Sequence, residues 1–400
     1  MVEKLYYVDS YLDQFEAKVT KVVGEKIFLS RTAFYPGGGG QQNDIGEIDE
    51  AKVTVVGREQ DDIYHTVPEG SFVTGQTVRG EIDWPHRYNL MKGHTAQHIL
   101  FRAMQEQSPE LTVRKVDITP EKKSLFFNGV MTWEMLRTAL TRTNEIILSD
   151  LDVKAQIIKK DSPELENVRI KADRIKGEAV RVMRIGDFDS AACGGLHVAR
   201  TSEIGGVTIE KLVSGGQASD WEVQFDLGFS GLIKTSQLSL TAISISNMLG
   251  CPYENIESTV RNLKEEAQDL TEKLEQACSR QLDSLIPEKI GDFQLYSAIL
   301  TGSDRKTLNE YASKLIRKKG TIVMLADVSD TAYMLLGCNS KISLDCASLL
   351  SPGLEMIGGR GGGKKNFAMG GGSEISKLEE AFNSVKQTVT EKIASEFSCS

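Results

Sequence analysis

The sequence has no paired-cysteine framework. Its six cysteines, Cys193, Cys251, Cys278, Cys338, Cys346 and Cys399, are scattered with no pair at short spacing. That excludes a small disulfide scaffold and points to a reducing, cytoplasmic setting. Nor is there an apolar run near the roughly 18 residues that span a bilayer, so no membrane partner is expected. The N-terminus, MVEKLYYVDSYLDQF, has no basic segment followed by an apolar one, and no secretory signal is read there. A basic surplus is missing too, with 47 Lys and Arg against 56 Asp and Glu and a net charge of −9. A dedicated duplex binder, whose affinity rests on phosphate contacts, would carry the opposite balance. Histidine is scarce, at five residues.

What is present is an ordinary globular composition, 40% hydrophobic and 26% charged, spread over 400 residues. A chain this long exceeds one compact core, and a multidomain α+β protein is expected. Residues 1–85 carry β-branched runs such as AKVTKVVGEKIFLS and SFVTGQTVRGEID, short strands that suggest a small β-barrel interrupted by a glycine cluster. Residues 86–229 mix helices with strands. RYNLMKGHTAQHILFRAMQEQ has helical apolar spacing, and TWEMLRTALTRTNEIIL starts at Thr132 as N-cap with Glu134 in its first turn. Residues 230–287 read as a helical arm. Ile256, Val260, Leu263, Ala267, Leu270, Leu274 and Ala277 keep a 4-3-4-3 rhythm, and Leu232 to Leu249 is a candidate partner helix. A hairpin within the chain and a coiled coil between two chains both fit this rhythm. Residues 288–400 alternate strand and helix as a small α/β domain, with 14 Lys and Arg against 13 Asp and Glu, and contain GGRGGGKKNFAMGGG.

Chemistry concentrates in two short motifs. His94 and His98 sit four apart in HTAQH on a predicted helix, so both imidazoles leave one face. Cys193 and His197 have the same spacing in CGGLH, where Gly194 and Gly195 would let the backbone turn both side chains toward one ion. Three imidazoles and a thiolate suit a single zinc ion. Four protein ligands normally close a structural site, whereas catalysis needs an open position, and both readings stay open here. Asp187 and Asp189 are the nearest acidic candidates for a catalytic base, or simply a turn-forming pair. The run Gly37 to Gly40 in TAFYPGGGGQQNDIG is not a P-loop, because no Gly-Lys-Ser/Thr follows. It is either a hairpin tip or a place where backbone approaches a ligand.

Together these motifs resemble the editing half of alanyl-tRNA synthetases and their free-standing relatives, the AlaX family. The resemblance rests on Thr32, Phe34-Tyr35-Pro36, Gly38, Gly39, Gly40 and Gln41, then Asp44 with Gly46, His94 to Leu100, Ile185 to Asp189, Cys193 to Val198 and Thr201 to Gly205. The glycine-rich tail is similar to the C-terminal domain of alanyl-tRNA synthetases, so the likeness extends over nearly the whole chain, in the long form of the family. It implies an aminoacyl-tRNA hydrolase with zinc at His94, His98, Cys193 and His197. The implied substrate is tRNA(Ala) mischarged with serine, with glycine as a second candidate. Substrate contacts fall, by resemblance, to Thr32, the glycines Gly38 to Gly40, and Gln41, with Thr32 and Gln41 reading the serine hydroxyl. Because the chain opens with the strand domain that precedes the editing site, it is expected to edit in trans. A homodimer through the arm or the C-terminal domain is a further expectation.

Two departures from the family pattern stand out. Leu196 replaces the usual threonine, and Lys364-Lys365-Asn366-Phe367 replaces the usual Arg-Pro-Asp-Met. The competing functions are a tRNA-binding module with a purely structural zinc and a phosphoesterase. The second of these lacks any Asp-His-His run.

Overall fold

The computed structural model describes residues 2–170, 178–216, 219–328 and 331–397. Cys399 lies outside the described residues. Two compact units emerge, Met1–Ser244 and Ile245–Ser400.

The first unit begins with β1 (Glu3–Lys4) and a single helical turn, α1 (Leu5–Val8). Strand β2 (Gln14–Val23) follows, then β3 (Lys26–Leu29) and β4 (Arg31–Thr32), which lies parallel to β1. Next come β5 (Gly46–Ile48), β6 (Ala51–Val53), β7 (Val55–Glu59), β8 (Asp62–Thr66) and β9 (Thr77–Ile82). Seven of these strands form an antiparallel sheet in the order β6-β5-β9-β2-β3-β8-β7. Strand β2 pairs with β9 along its first half and with β3 along its second, with an irregularity between Val19 and Lys21. A bulge there sharpens the local twist. The two edge strands, β6 and β7, are separated in sequence only by Thr54, so the sheet curls back on itself. The expected barrel is therefore a nearly closed sheet, with no hydrogen-bonded seam between its edges. Alternate residues of β2 and β9 point inward, among them Phe15, Ala17, Val78 and Ile82.

Helix α2 (Trp84–Gln107) starts where Asp83 accepts a hydrogen bond from the His86 N–H, with Pro85 in the first turn. Its middle is buried on all sides, as expected of an interior helix. Around it stand β10 (Thr112–Ile118), β11 (Lys123–Asn128) and α3 (Trp133–Leu148), capped at Thr132 as its sequence predicts. Strands β12 (Val153–Lys159), β13 (Ala179–Ile185) and β14 (Asp189–Ala192) form a three-stranded antiparallel sheet. Strands β15 (Val207–Ser214) and β16 (Trp221–Leu227) complete a four-stranded sheet, β10-β11-β16-β15. One continuous apolar core runs from Val2 to Leu227, joining the strand-rich start to the α+β region after it. Helix α4 (Gly228–Leu249) follows.

In the second unit, α5 (Ile256–Asp283) carries the heptad seam and exposes Val260, Leu263, Leu270 and Leu274. A six-stranded mixed sheet follows. It is built from β17 (Glu288–Ile290), β18 (Phe293–Thr301), β19 (Thr321–Val328), β20 (Ala332–Cys338), β21 (Arg360–Lys364) and β22 (Phe367–Gly372). Helix α6 (Arg305–Leu315) makes the crossover between parallel β18 and β19. Helices α7 (Cys346–Met356) and α8 (Leu378–Phe397) contribute to the larger of the two clusters at this sheet. The glycine-rich tail folds as the β21–β22 hairpin. Side chains at Gly361 or Gly363 would strike the backbone of β22.

Candidate metal centre

Helix α2 presents His94 and His98, one turn apart, and the chain leaving β14 supplies Cys193 and His197. One potential ligand atom from each of the four lies within 4.8 Å of the others. The Cys193 Sγ is 3.4 Å from Nε2 of both His94 and His197. Zinc bonds of about 2.0–2.1 Å to nitrogen and about 2.3 Å to sulfur place tetrahedral ligand atoms about 3.4–3.6 Å apart. The two Cys193–imidazole distances match that edge and the donor set suits zinc, while the four atoms together, all within 4.8 Å, are spread more widely than a closed tetrahedron.

Each imidazole is fixed from behind. His94 Nδ1 lies 2.8 Å from Gln41 Oε1, His98 Nδ1 3.3 Å from Asp189 Oδ2, and His197 Nδ1 3.1 Å from Thr95 Oγ1. The Thr95 hydroxyl donates to the Met91 carbonyl, so its oxygen is left to accept from His197. All three rings therefore carry their proton on Nδ1 and offer Nε2 to the cluster, the arrangement that orients metal-binding histidines. Asp189 is itself held by Arg169, whose Nη2 donates to Oδ2 at 2.6 Å. Burial opposes ionisation of the Cys193 thiol, but His94, His197 and His98 outweigh it and hold it well below the usual thiol range. Burial likewise opposes the His98 imidazolium. Cys193 and Asp189 overcome it and raise His98 to about 9, while burial drops His197 to about 3. Binding a divalent metal requires the Cys193 thiolate and free Nε2 lone pairs on the three imidazoles, so loading is coupled to release of any proton held there.

Glycine matters at one position of CGGLH. A Cβ on Gly195 would lie 2.1 Å from His94 Cε1 and 2.3 Å from His94 Nδ1, whereas a Cβ on Gly194 would meet only the Tyr7 hydroxyl at 3.7 Å. Neither residue adopts positive φ. The requirement is close approach to His94, not the backbone turn that the sequence suggested. Buried Leu196, the departure from the family pattern, contributes its backbone N–H to Gln41 Oε1 at 3.0 Å.

The glycine run comes to the same place. Gly37 to Gly40 all have positive φ, between 64° and 141°. The loop is pinned, not loose: the Ile118 N–H donates to the Gly40 carbonyl at 2.7 Å and the Gln42 N–H to the Ile118 carbonyl at 3.1 Å. It delivers Gln41, whose Oε1 accepts from both His94 and Leu196 while its Nε2 is buried without a partner among the described residues. Tyr35 Oη donates to the carbonyls of Gly38 and Gly194, each at 3.2 Å, tying the glycine loop to the cysteine loop. Thr32 is fully buried, with Oγ1 2.8 Å from His65 Nε2 and accepting from the Phe34 N–H. Asp44 pairs with Arg87 where both side chains have no exposure, bracing α2 against the strands. Asp187 is exposed in the turn between β13 and β14, whereas Asp189 points inward at His98.

Sequence reasoning missed Thr95, Arg169, Arg87 and Tyr35. Thr95 and Tyr35 sit inside motifs already singled out, HTAQH and FYP, where a polar side chain between ligands is itself a signal. The two arginines carry none.

Residues 6–86 match the family described as "tRNA synthetases class II (A)". Residues 180–220 match "Threonyl and Alanyl tRNA synthetase second additional domain", and residues 292–391 the DHHA1 domain. The alanyl-tRNA editing protein AlaX-L of Pyrococcus horikoshii is 28% identical, over 96% of this chain and 97% of its own. An alanine–tRNA ligase of Pyrococcus abyssi is 29% identical over 95% of this chain, which spans 43% of that enzyme. Among solved structures, the C-Ala domain of Aquifex aeolicus alanyl-tRNA synthetase is 24% identical over 28% of this chain and 99% of its own, with a TM-score of 0.25.

Proposed function

We propose that this chain is an alanyl-tRNA editing protein of the AlaX family, and that it hydrolyses the ester of tRNA(Ala) mischarged with serine, with glycine as the second candidate. The observation that carries this reading is the meeting of the glycine loop and the metal cluster at Gln41. A buried amide whose oxygen is doubly engaged and whose Nε2 has no partner is a donor awaiting an acceptor. A substrate hydroxyl or carbonyl oxygen beside His94 would satisfy it. A site built to bond a hydroxyl rejects the analogue that lacks one by a wide margin, which is what sparing alanine demands.

His94, His98, Cys193 and His197 would hold one zinc ion, which when bound supplies Lewis-acid polarisation of an ester carbonyl or an anchor for the amino group. The protein's own share is positioning. Gln41, Asp189 and Thr95 keep three imidazoles in one tautomer, and Gly195 leaves room for His94. We assign Asp189 to orienting His98, since its carboxylate is already committed to His98 and Arg169. Thr32, with its hydroxyl engaged by His65, shapes the wall of the strand domain and leaves serine discrimination to Gln41.

A closed structural zinc in a tRNA-binding module is the second reading, favoured by the fact that four protein donors already fill a tetrahedron. Initial rates on Ser-tRNA(Ala), Gly-tRNA(Ala) and Ala-tRNA(Ala) separate the two. Fast loss of serine with alanine spared is expected; binding of all three without hydrolysis would establish the structural reading instead. Such an enzyme would act in the cytoplasm, where charged tRNA is found, and no helix among the described residues is long and apolar enough to cross a membrane. The apolar seam exposed on α5 supports a homodimer through the arm, a point sedimentation would decide.

A further inference from the structure

Beside the metal ligands lies a rim that the proposed chemistry does not use. Tyr7 is 38% exposed, and its hydroxyl donates to the Gly194 carbonyl at 3.0 Å, next to the ligand Cys193. The Arg181 guanidinium lies over the Tyr7 ring, 4.9 Å from its centroid. Nη1 of that guanidinium donates to the carbonyls of Cys193 and Gly195 at 2.8 and 2.9 Å. Its Nε and Nη2 have no partner among the described residues. Across the Tyr35 bridge, exposed Arg58 sits over the glycine loop, its Nη2 3.9 Å from where a Cβ of Gly38 would be. The Arg58 guanidinium also has no hydrogen-bond or ion-pair partner among the described residues.

A partly exposed tyrosine ring, with Tyr6 packed edge-on at 4.6 Å and Arg181 over it, beside guanidinium donors unpaired among the described residues, is a combination that holds single-stranded nucleotides, by stacking on the base and attraction of the phosphate. In a chain of net charge −9 it is also a local exception. We propose that Tyr7, Arg181 and Arg58 form the seat of the 3′-terminal nucleotide of the aminoacylated RNA, Tyr7 stacking on its base and the two arginines facing its phosphate and ribose. This inference rests on the reading of an aminoacyl-RNA substrate and adds how its end is held. The position follows from the chemistry: the ester joins the amino acid to the terminal ribose, so the terminal nucleotide must lie within a few ångströms of the metal ligands. The Tyr7 hydroxyl and the Arg181 guanidinium both contact the loop that carries Cys193.

The probe is adenosine 5′-monophosphate, titrated into the zinc-loaded full chain and followed by calorimetry or by ligand-observed NMR. Tyr7→Leu and Arg58→Gln should each weaken binding by about tenfold, the scale of one stacking or phosphate contact. Tyr7→Phe, which loses the bond to Gly194 but keeps the ring, should recover most of the affinity. In parallel, Tyr7→Leu should raise KM for charged tRNA far more than it lowers kcat, with zinc content per chain preserved. No binding of the nucleotide, equal binding by Tyr7→Leu and wild type, or Tyr7→Phe as weak as Tyr7→Leu overturns the seat. Nucleotide binding with the expected variant pattern in a protein that spares every charged tRNA would leave the seat standing and sink the deacylase reading. Hydrolysis with KM untouched by Tyr7→Leu and Arg58→Gln would do the reverse.

Discussion

Replacing Gly195 with alanine adds one methyl group and should dismantle the metal centre. The new carbon would sit 2.1 Å from His94 Cε1 and 2.9 Å from Gln41 Oε1. Carbon atoms in contact settle about 3.5–4.0 Å apart, so the imidazole or the cysteine loop must retreat by about 1.4 Å or more. Neither has an easy route. His94 is held by Gln41, and the loop is held by Tyr7, Tyr35 and Arg181. Overpacking of this kind costs about 1–3 kcal/mol, and losing an outer partner of a metal-binding histidine costs about 10–100-fold in metal affinity. Gly195→Ala should therefore remain folded at moderate temperature while its zinc affinity, measured by competition with a chelator, falls by about two orders of magnitude. Gly194→Ala supplies the contrast: its added carbon meets only the Tyr7 hydroxyl, at 3.7 Å. It should bind zinc within about threefold of wild type, because nothing must move. Equal zinc affinity in the two variants would refute the close-approach argument.

Two further expectations can be checked alongside. Gln41→Leu removes the acceptor of His94 Nδ1 and the free Nε2 together, so kcat/KM on Ser-tRNA(Ala) should fall by about 100-fold or more; an unchanged rate would remove Gln41 from the site. Burial holds His65 neutral, down to about 4 from its usual 6.5. Its contribution is therefore fully present above pH 6.5 and is lost as pH falls toward 4, because the unfolded chain takes up the proton first. The full effect is about 3 kcal/mol. Urea midpoints of wild type at pH 7.5 and 5 should show the loss, and His65→Gln should flatten it. A variant that keeps the wild-type slope would locate the pH dependence elsewhere.

The four residues that cluster were legible in the sequence because each pair is local: a four-residue interval on a helix in HTAQH, and the same interval across two glycines in CGGLH. The Thr132 cap and the α5 seam were legible for the same reason, since capping and heptad periodicity are short-range signals. What could not be read is who stands behind each ligand. The pairs Gln41 with His94, Asp189 with His98 and Thr95 with His197 join residues 53, 91 and 102 apart. Single polar residues at such separations leave no period. The Asp44–Arg87 brace is equally silent, because a fully buried arginine looks in sequence like any charged residue in a helix's first turns. The glycine run was ambiguous between a loose hairpin tip and a ligand-facing loop. Only its pinning to Ile118 and the path of Gln41 settle its geometry.

If the four-residue cluster holds a zinc ion required for hydrolysis, removing that ion from folded protein must abolish the reaction. The most direct test strips the purified protein with a chelator, confirms by circular dichroism that it remains folded, and follows deacylation of Ser-tRNA(Ala) before stripping, after it, and after zinc is restored. Hydrolysis should be present at first, lost on stripping, and restored as zinc reaches one ion per chain. Stripped, folded protein that deacylates at the original rate would show that no ion at the cluster is needed.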